Sequence, residues 1–180
     1  MPGTLTDADL LVLGLVAEMP RHGYELEQTI DDRGMREWTE IGFSSIYFVL
    51  SKLERLRLAK ARKPTGAKAR KSYCVTAAGM RALRTHSLEA LGEFHAIRSS
   101  VLLGMIHWPL LEKPLALAAL RARKNAITDE EARLAKLHLS RQPLPDHVDA
   151  LFEYSLGQLA AEAKWVAETT VYMERRTELK

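Results

Sequence analysis

Three short segments with helical periodicity, followed at once by a hairpin pattern, are the strongest constraint that this 180-residue chain places on its fold. The first helix is predicted to begin at the capping residue Thr6 and to end before Pro20, where the apolar repeat stops. The second is predicted over residues 22–32 and the third over residues 44–56. Three short helices at this spacing are typical of a helix-turn-helix module.

A β-hairpin is predicted directly after the third helix. Two short runs, residues 58–63 and 70–76, flank the turn residues 64–67. In the second run Tyr73 and Val75 alternate with smaller residues, as in a half-buried strand. Three helices and then a hairpin are the element order of a winged helix-turn-helix, in which the hairpin is the wing.

The third helix has two chemically different faces. Its apolar face is expected to contact the core and consists of Ile46, Val49, Leu50, Leu53 and Leu56. Its other face carries Ser44, Tyr47, Phe48, Ser51, Lys52 and Arg55. The short side chains of Ser44 and Ser45 allow close approach at the helix start, where backbone N–H groups can meet phosphate. The candidates for contacts to phosphates or base edges in the major groove are Tyr47, Ser51, Lys52 and Arg55.

Positive charge is concentrated in the same part of the chain. Residues 52–84 hold 11 basic residues and one acidic residue, a net charge of +10, whereas the rest of the chain has a net charge of −7. Such a block indicates a polyanionic partner, and a merely solvated basic face is the alternative. The wing cations expected to contact the DNA backbone are Lys63, Lys68, Arg70 and Lys71. Tyr24, near the start of the second helix, is a further candidate for backbone contact.

The C-terminal half is predicted to consist of helices. One covers about residues 115–139, with a second capping position at Thr128, and the last covers about residues 146–176. The apolar stripe on this last helix needs a cover, and a second copy of the chain is the expected one. The predicted fold is therefore mainly α, with a winged helix-turn-helix DNA-binding domain at residues 1–87 and a helical dimerisation domain at residues 88–180.

The N-terminal segment, residues 5–83, resembles the PadR family of bacterial transcriptional regulators. The matching motifs are the leading helix with Leu-Leu-Val-Leu-Gly-Leu at 10–15, His-Gly-Tyr-Glu-Leu at 22–26, Ser-Ile-Tyr at 45–47 and Arg-Lys-Ser-Tyr-Cys-Val-Thr-Ala-Ala-Gly at 70–79. Two positions depart from the family pattern. The chain has Phe48 where the family usually has Pro, and Arg57 where it usually has Gly before the first wing strand.

The resemblance implies a two-fold homodimer that binds a palindromic operator in double-stranded DNA, with its two recognition helices about one DNA turn apart. It also implies repression that a small, often aromatic, effector relieves. Aromatic side chains in the C-terminal half are candidates to line an effector pocket, with core or interface packing as the alternative for each. We take as candidates Trp108, Tyr154 and Trp165.

Other functions find little support in the sequence. It contains no metalloprotease, Walker, nucleophile-elbow or dinucleotide-binding motif, and its histidines are not spaced as ligand pairs, so we expect no enzyme activity, cofactor or metal. The single cysteine, Cys74, is expected to be a small buried side chain, with a redox role as the alternative. The longest apolar run near the start has 8 residues, and the N-terminus carries Asp7 and Asp9 and no basic run. We therefore expect that it is not a signal peptide and that the protein is soluble and cytoplasmic.

Two alternatives to specific DNA binding remain open. A winged helix can serve as a protein-interaction module whose basic face meets an acidic partner. A basic winged helix can also bind DNA without sequence preference, as an architectural protein. Steep salt dependence of DNA binding argues against the first alternative, and discrimination between specific and scrambled duplexes argues against the second.

Overall fold

A computed structural model describes residues 5–39, 41–62, 71–94, 96 and 98–176, apart from the side chains of residues 43 and 44. The chain divides into two compact units, Met1–Ala96 and Ile97–Lys180. The functional division expected after residue 87 stays a prediction; that position lies inside a helix.

The first unit contains four α-helices and one small sheet in its described part. In chain order the elements are α1 (Asp7–Glu18), α2 (Gly23–Asp32), a 3₁₀ turn (Met35–Glu37), α3 (Phe43–Arg55), β1 (Ala59–Arg62), β2 (Ser72–Val75) and α4 (Ala77–Gly92). The fold class predicted from the sequence is confirmed: three helices precede a two-stranded wing.

Local hydrogen bonds explain where the first two helices begin. The Thr6 hydroxyl accepts a hydrogen bond from the Asp9 backbone N–H at 3.3 Å, and the Asp9 carboxylate accepts one from the Thr6 N–H at 2.8 Å. The same reciprocal pattern joins His22 and Glu25 at the start of α2. These capping boxes satisfy N–H groups that a helix leaves without intrahelical partners.

The core of the first unit lies between α1, α2 and α3. Each helix contributes fully buried aliphatic side chains, among them Val12, Leu13, Leu26, Ile30, Ile46 and Leu53. The wing strands are antiparallel and pair Ala59 with Val75 and Arg62 with Ser72. Arg21 adds a third, one-residue strand through two backbone hydrogen bonds to Tyr73, of 3.0 and 2.8 Å.

The alternation expected in the second wing strand is wrong in one respect. Tyr73 and Cys74 are both buried, whereas Ser72 and Val75 are half-buried. Cys74 pairs with Lys60 across the sheet, and its Sγ lies 3.7 Å from the Lys60 carbonyl oxygen. Burial of Cys74 as a small side chain agrees with the expectation from the sequence.

The second unit is helical throughout its described elements. It contains α5 (Ser100–Ile106), a 3₁₀ turn (Trp108–Leu110), α6 (Lys113–Ser140) and α7 (Asp146–Arg175). The last two helices pack along each other and bury Leu120, Ile127, Phe152 and Val166. The expected second capping position at Thr128 is wrong, because its hydroxyl donates to the Lys124 carbonyl at 3.0 Å and α6 continues through it.

Among the described residues, no helix combines the length and the apolar character that crossing a membrane requires. The described residues also contain no cluster of His, Cys, Asp or Glu side chains arranged to hold a metal ion.

Candidate nucleic-acid interface

One face of α3 is anchored in the core and the other is open. Ile46, Val49, Leu50 and Leu53 are each at most 4% exposed, so their burial fixes the rotation of the helix about its axis. The opposite face presents Tyr47, Phe48, Ser51 and Arg55 as exposed residues. Most of the face predicted from the sequence is therefore turned outward.

Arg36 fixes the approach to α3. Its Nε donates to Asp31 Oδ1 at 2.8 Å, and its two terminal nitrogens bond the Glu27 carboxylate and the Ile41 carbonyl oxygen. One guanidinium thus joins α2 to the residue that comes just before Gly42, the N-cap of α3. The Asp31 and Glu27 carboxylates raise the pKa of Arg36, with the Asp31 hydrogen bond as the largest cause.

The N-terminus of α3 carries no side-chain cap in the described part of the chain, because Gly42 occupies the N-cap position. A helix leaves its first N–H groups without intrahelical partners, and these groups and the helix dipole favour an anion. Ser45 is half-buried in this first turn, and Ser44 precedes it. Both predicted serines therefore lie at the end of α3 that suits a phosphate.

Lys52, a predicted DNA contact, forms an ion pair inside the first unit. Its Nζ bonds Asp9 Oδ2, and the Asp9 side chain is only 1% exposed. Burial raises the pKa of Asp9, but the hydrogen bonds from Lys52 and Thr6 lower it by more, so the net pKa lies below its usual value. Lys52 thus connects α3 to α1 and holds a buried carboxylate in its charged form, and its role as a DNA contact stays a prediction.

The remaining polar residues of the α3 face differ in what they can offer a ligand. The Ser51 hydroxyl donates to the Tyr47 carbonyl oxygen at 2.9 Å, so its donor is used within the helix. Arg55 is exposed in the last turn of α3 and has no ion-pair partner among the described residues. Arg55 therefore presents its full charge to solvent.

Tyr47 and Tyr24 lie where α3 meets the start of α2. Tyr47 is 49% exposed, and its ring rests so close to Gly23 that a Cβ there would lie 2.5 Å from Tyr47 Cε1. Tyr24 is 46% exposed, and its hydroxyl accepts a hydrogen bond from Gln28 Nε2 at 3.2 Å. The glycine of the His-Gly-Tyr motif thus makes room for the predicted recognition-helix tyrosine.

In the wing, Lys71 is the predicted contact residue that the structure describes. Its Nζ lies 2.8 Å from Glu54 Oε2 and 4.9 Å from the centre of the Tyr73 ring. The hydrogen bond to Glu54 is the main cause of a raised pKa for Lys71. The other three wing cations, Lys63, Lys68 and Arg70, lie outside the described residues.

The three aromatic candidates for an effector site lie in different surroundings. Trp108 lines a largely apolar cavity of about 210 Å³ within the second unit, together with Val101, Met105, Leu120 and Arg123. The Tyr154 side chain is exposed, and its hydroxyl accepts a hydrogen bond from Gln158. Trp165 is half-buried and packs on the cluster around Val166. Trp108 thus faces a space for a ligand.

Three residues of this surface are absent from the predicted set. Asp9 and Arg36 act through hydrogen bonds to α3 or its approach. No helical pattern shows these bonds, because Lys52 lies 43 residues from Asp9 and the Arg36–Ile41 bond spans the irregular connection before α3. Phe48 is 68% exposed beside the serines. Its place on the polar face is visible in the sequence. A large apolar side chain on an otherwise polar helix face is the sequence signal that identifies Phe48 as a candidate binding residue.

The three helices, the two-stranded wing and the open face of α3 define the class: a winged helix-turn-helix protein. Residues 12–85 match the model of the transcriptional regulator PadR-like family, which confirms the resemblance found in the sequence of this segment. This is a family of transcriptional regulators and not of enzymes. None of the curated proteins is significantly similar to the chain in sequence.

Solved structures share the whole fold at low sequence identity. Bacillus subtilis PadR in complex with operator DNA is 16% identical with a TM-score of 0.74, over 92% of this chain and 98% of that one. The same regulator in complex with p-coumaric acid is 14% identical with a TM-score of 0.75, over 93% and 98%. The Vibrio cholerae virulence activator AphA is 13% identical with a TM-score of 0.72, over 93% and 98%. These likenesses cover both units of the chain.

Proposed function

We propose that this chain regulates transcription by binding a specific duplex DNA sequence, with α3 in the major groove and the wing on the adjacent backbone. The observation that carries the proposal is the anchored helix α3, whose outer face is open and whose N-terminus has no side-chain cap among the described residues. Such a helix offers N–H groups to phosphate and side chains to base edges at the same time. Operator binding by the B. subtilis relative supports this assignment.

A homodimer is the form in which we propose that the chain acts. In the second unit, large apolar side chains remain exposed on all three α-helices, among them Leu102, Leu103, Ile106, Leu115, Leu151 and Val171. An exposed apolar surface of this kind is usual where a second subunit binds. Two-fold symmetry then places two copies of α3 on a palindromic operator.

We further propose that the chain acts in the cytoplasm and that its DNA binding represses transcription, since a bound dimer blocks a promoter without further contacts. A small effector is proposed to release the DNA. The cavity beside Trp108 supports an effector, because a space of about this volume accommodates one aromatic ring. The p-coumaric acid complex of the B. subtilis relative supports an aromatic one. AphA, which has the same fold, is described as an activator, so a reporter assay must establish the direction of regulation.

Fluorescence anisotropy tests the central proposal. The full-length protein is titrated onto duplex DNA from upstream of its own gene and onto a scrambled duplex, over a series of salt concentrations. We expect the specific duplex to bind roughly a thousandfold more tightly, with affinity that falls steeply as salt rises. Equal, salt-dependent binding to both duplexes means either that the upstream duplex lacks the operator or that the architectural alternative holds. No binding at low salt supports the protein-interaction alternative.

Arg55 supplies a sharper form of this test. If its guanidinium reads a base, the substitution Arg55→Ala costs about 1–3 kcal/mol of specific binding and reduces the ratio of specific to scrambled affinity. The matched control is Arg81→Ala, which removes an exposed arginine from α4. An unchanged ratio for Arg55→Ala contradicts a base-reading role for that residue.

A further inference from the structure

Among the α3 residues whose side chains the structure describes, Phe48 is the largest apolar one presented to solvent. It is 68% exposed, although four other apolar residues of the same helix are buried almost completely. Its neighbours at helical spacing are all polar: Ser45 one turn before it, Ser51 and Lys52 one turn after it, and Arg55 two turns after it. Phe48 is therefore one aromatic ring in the middle of a polar helix face.

The polar neighbours of Phe48 are partly occupied with intramolecular contacts. The Ser51 hydroxyl donates to a backbone carbonyl of α3, and the Lys52 ammonium pairs with the buried Asp9 carboxylate. Phe48 and Arg55 are thus the two long side chains of this face that extend into solvent without a described polar partner. Whatever enters this surface meets the exposed rings of Tyr47 and Phe48 and the Arg55 guanidinium, and of the two rings Phe48 is the wholly apolar one.

The major groove offers an aromatic ring one apolar group, the 5-methyl group of thymine. The other base edges there present hydrogen-bond donors and acceptors, and covering those with a ring costs free energy because they lose water without gaining a partner. We propose that Phe48 is a specificity-determining residue that packs against a thymine methyl group. This inference rests on the proposed function, since it assumes that α3 enters the major groove.

The spacing on α3 also relates the two base contacts. Phe48 and Arg55 are seven residues apart, which corresponds to about 10 Å along an α-helix. Consecutive base pairs are about 3.4 Å apart. Because a helix in the major groove is inclined to the DNA axis, the thymine that Phe48 reads should lie within about three base pairs of the base that Arg55 contacts in the same half-site.

The test uses DNA that differs by single methyl groups. The preferred duplex is first selected from a random pool with the full-length protein, and each thymine is then replaced in turn by deoxyuridine, which lacks the 5-methyl group. For the unmodified protein we expect one position in each half-site to lower affinity about fourfold per methyl removed. With Phe48→Ala, replacement at that position has no effect, and thymine loses its advantage over cytosine there.

Matched variants separate this role from others. Ser51→Ala removes a small side chain from the same helix face, and it should keep the full response to deoxyuridine at the Phe48 position. Because Phe48 is exposed, Phe48→Ala should melt at the same temperature as the unmodified protein. Arg55→Ala should keep the deoxyuridine response and lose discrimination at a different base within about three pairs.

Three results would overturn the inference. In the first, no thymine of the selected duplex responds to methyl removal. In the second, Phe48→Ala shows the same deoxyuridine profile as the unmodified protein. In the third, Phe48→Ala changes the sedimentation coefficient of the protein without DNA, which places the ring in a subunit contact. If selection yields no preferred duplex at all, the proposed function itself fails, and this outcome is distinct from the other three.

Discussion

Gly23 and Tyr47 form a contact whose energy can be measured in isolation. A Cβ at residue 23 would lie 2.5 Å from Tyr47 Cε1, 2.7 Å from Cζ and 3.1 Å from the hydroxyl oxygen. Carbon atoms in favourable contact are about 3.5–4.0 Å apart, so the ring would have to move by roughly 1 Å or more. The φ angle of Gly23 lies outside the left-handed region, so its backbone is accessible to alanine. Steric conflict with the Tyr47 ring, and not the backbone conformation, therefore disfavours a side chain at residue 23.

The two effects of Gly23→Ala have opposite signs. Alanine in place of glycine reduces the freedom of the unfolded chain and stabilises a compatible site by about 0.4–1 kcal/mol. Forcing an extra methyl against a packed side chain costs about 1–3 kcal/mol, with the lower end expected here because Tyr47 is half-exposed and can rotate outward. We therefore expect Gly23→Ala to be neutral or destabilising in the unmodified protein and stabilising in Tyr47→Ala. The coupling between the two substitutions should be about 1 kcal/mol or more.

Urea unfolding of the two single variants and the double variant measures this coupling, and DNA affinity is measured on the same four proteins. Gly23→Ala should weaken specific binding in the unmodified protein, because it displaces a predicted contact residue, and should weaken it no further in Tyr47→Ala. Gly14→Ala is the matched control, since a Cβ there finds only Leu83 Cδ1 at 4.0 Å. It should stabilise both backgrounds equally. Equal effects of Gly23→Ala in both backgrounds would refute the reasoning.

Two further predictions concern the residues that support α3 and the wing. Arg57 adopts a φ of 59°, in the left-handed region that costs a non-glycine residue about 1–2 kcal/mol, so Arg57→Gly should raise the free energy of unfolding by about 0.5–1 kcal/mol. A lower free energy of unfolding for Arg57→Gly than for the unmodified protein, measured by urea unfolding, would contradict the strain at Arg57. Lys52→Met leaves the Asp9 carboxylate buried without its counter-charge and should cost about 3 kcal/mol at pH 7. Because the pKa of Asp9 is lowered by folding, its contribution is complete above about pH 4 and is lost as the pH falls through its folded value. Urea unfolding at pH 7 and pH 3 checks this, with Asp9→Asn expected to lose less stability on acidification than the unmodified protein.

Most of the first unit could be predicted from the sequence because its signals are local. Thr6 and Asp9 are three residues apart, and the capping box they predict is present. The buried face of α3 follows from helical periodicity in the same way: Ile46, Val49, Leu50 and Leu53 are buried, and Leu56, the C-cap, is half-buried. Such patterns depend on neighbours within one turn, so tertiary structure has little opportunity to change them.

The contacts that support α3 could not be predicted, because they depend on tertiary packing or on an irregular connection and not on helical spacing. Arg36 follows α2 in sequence and nothing near it indicates that it would bond the Ile41 carbonyl. The sequence identifies Asp9 as a helix-capping acid, and the structure agrees. The same carboxylate also accepts a hydrogen bond from Lys52, which is 43 residues away. A local role in the sequence thus conceals a second role that only the packing of α1 on α3 creates.

Lys52 and Arg55 show why charge on a helix face is an incomplete guide to a binding surface. Both are cations in the last turn of α3, three residues apart, and the sequence assigns them the same role. Lys52 leans toward α1 and is 22% exposed beside a buried carboxylate, whereas Arg55 extends into solvent. A cation whose partner is buried loses that pair if it turns to DNA, while an exposed cation gives up only water and counterions. Of the two, Arg55 is therefore the residue whose removal should change base discrimination, and Lys52 the one whose removal should first change stability.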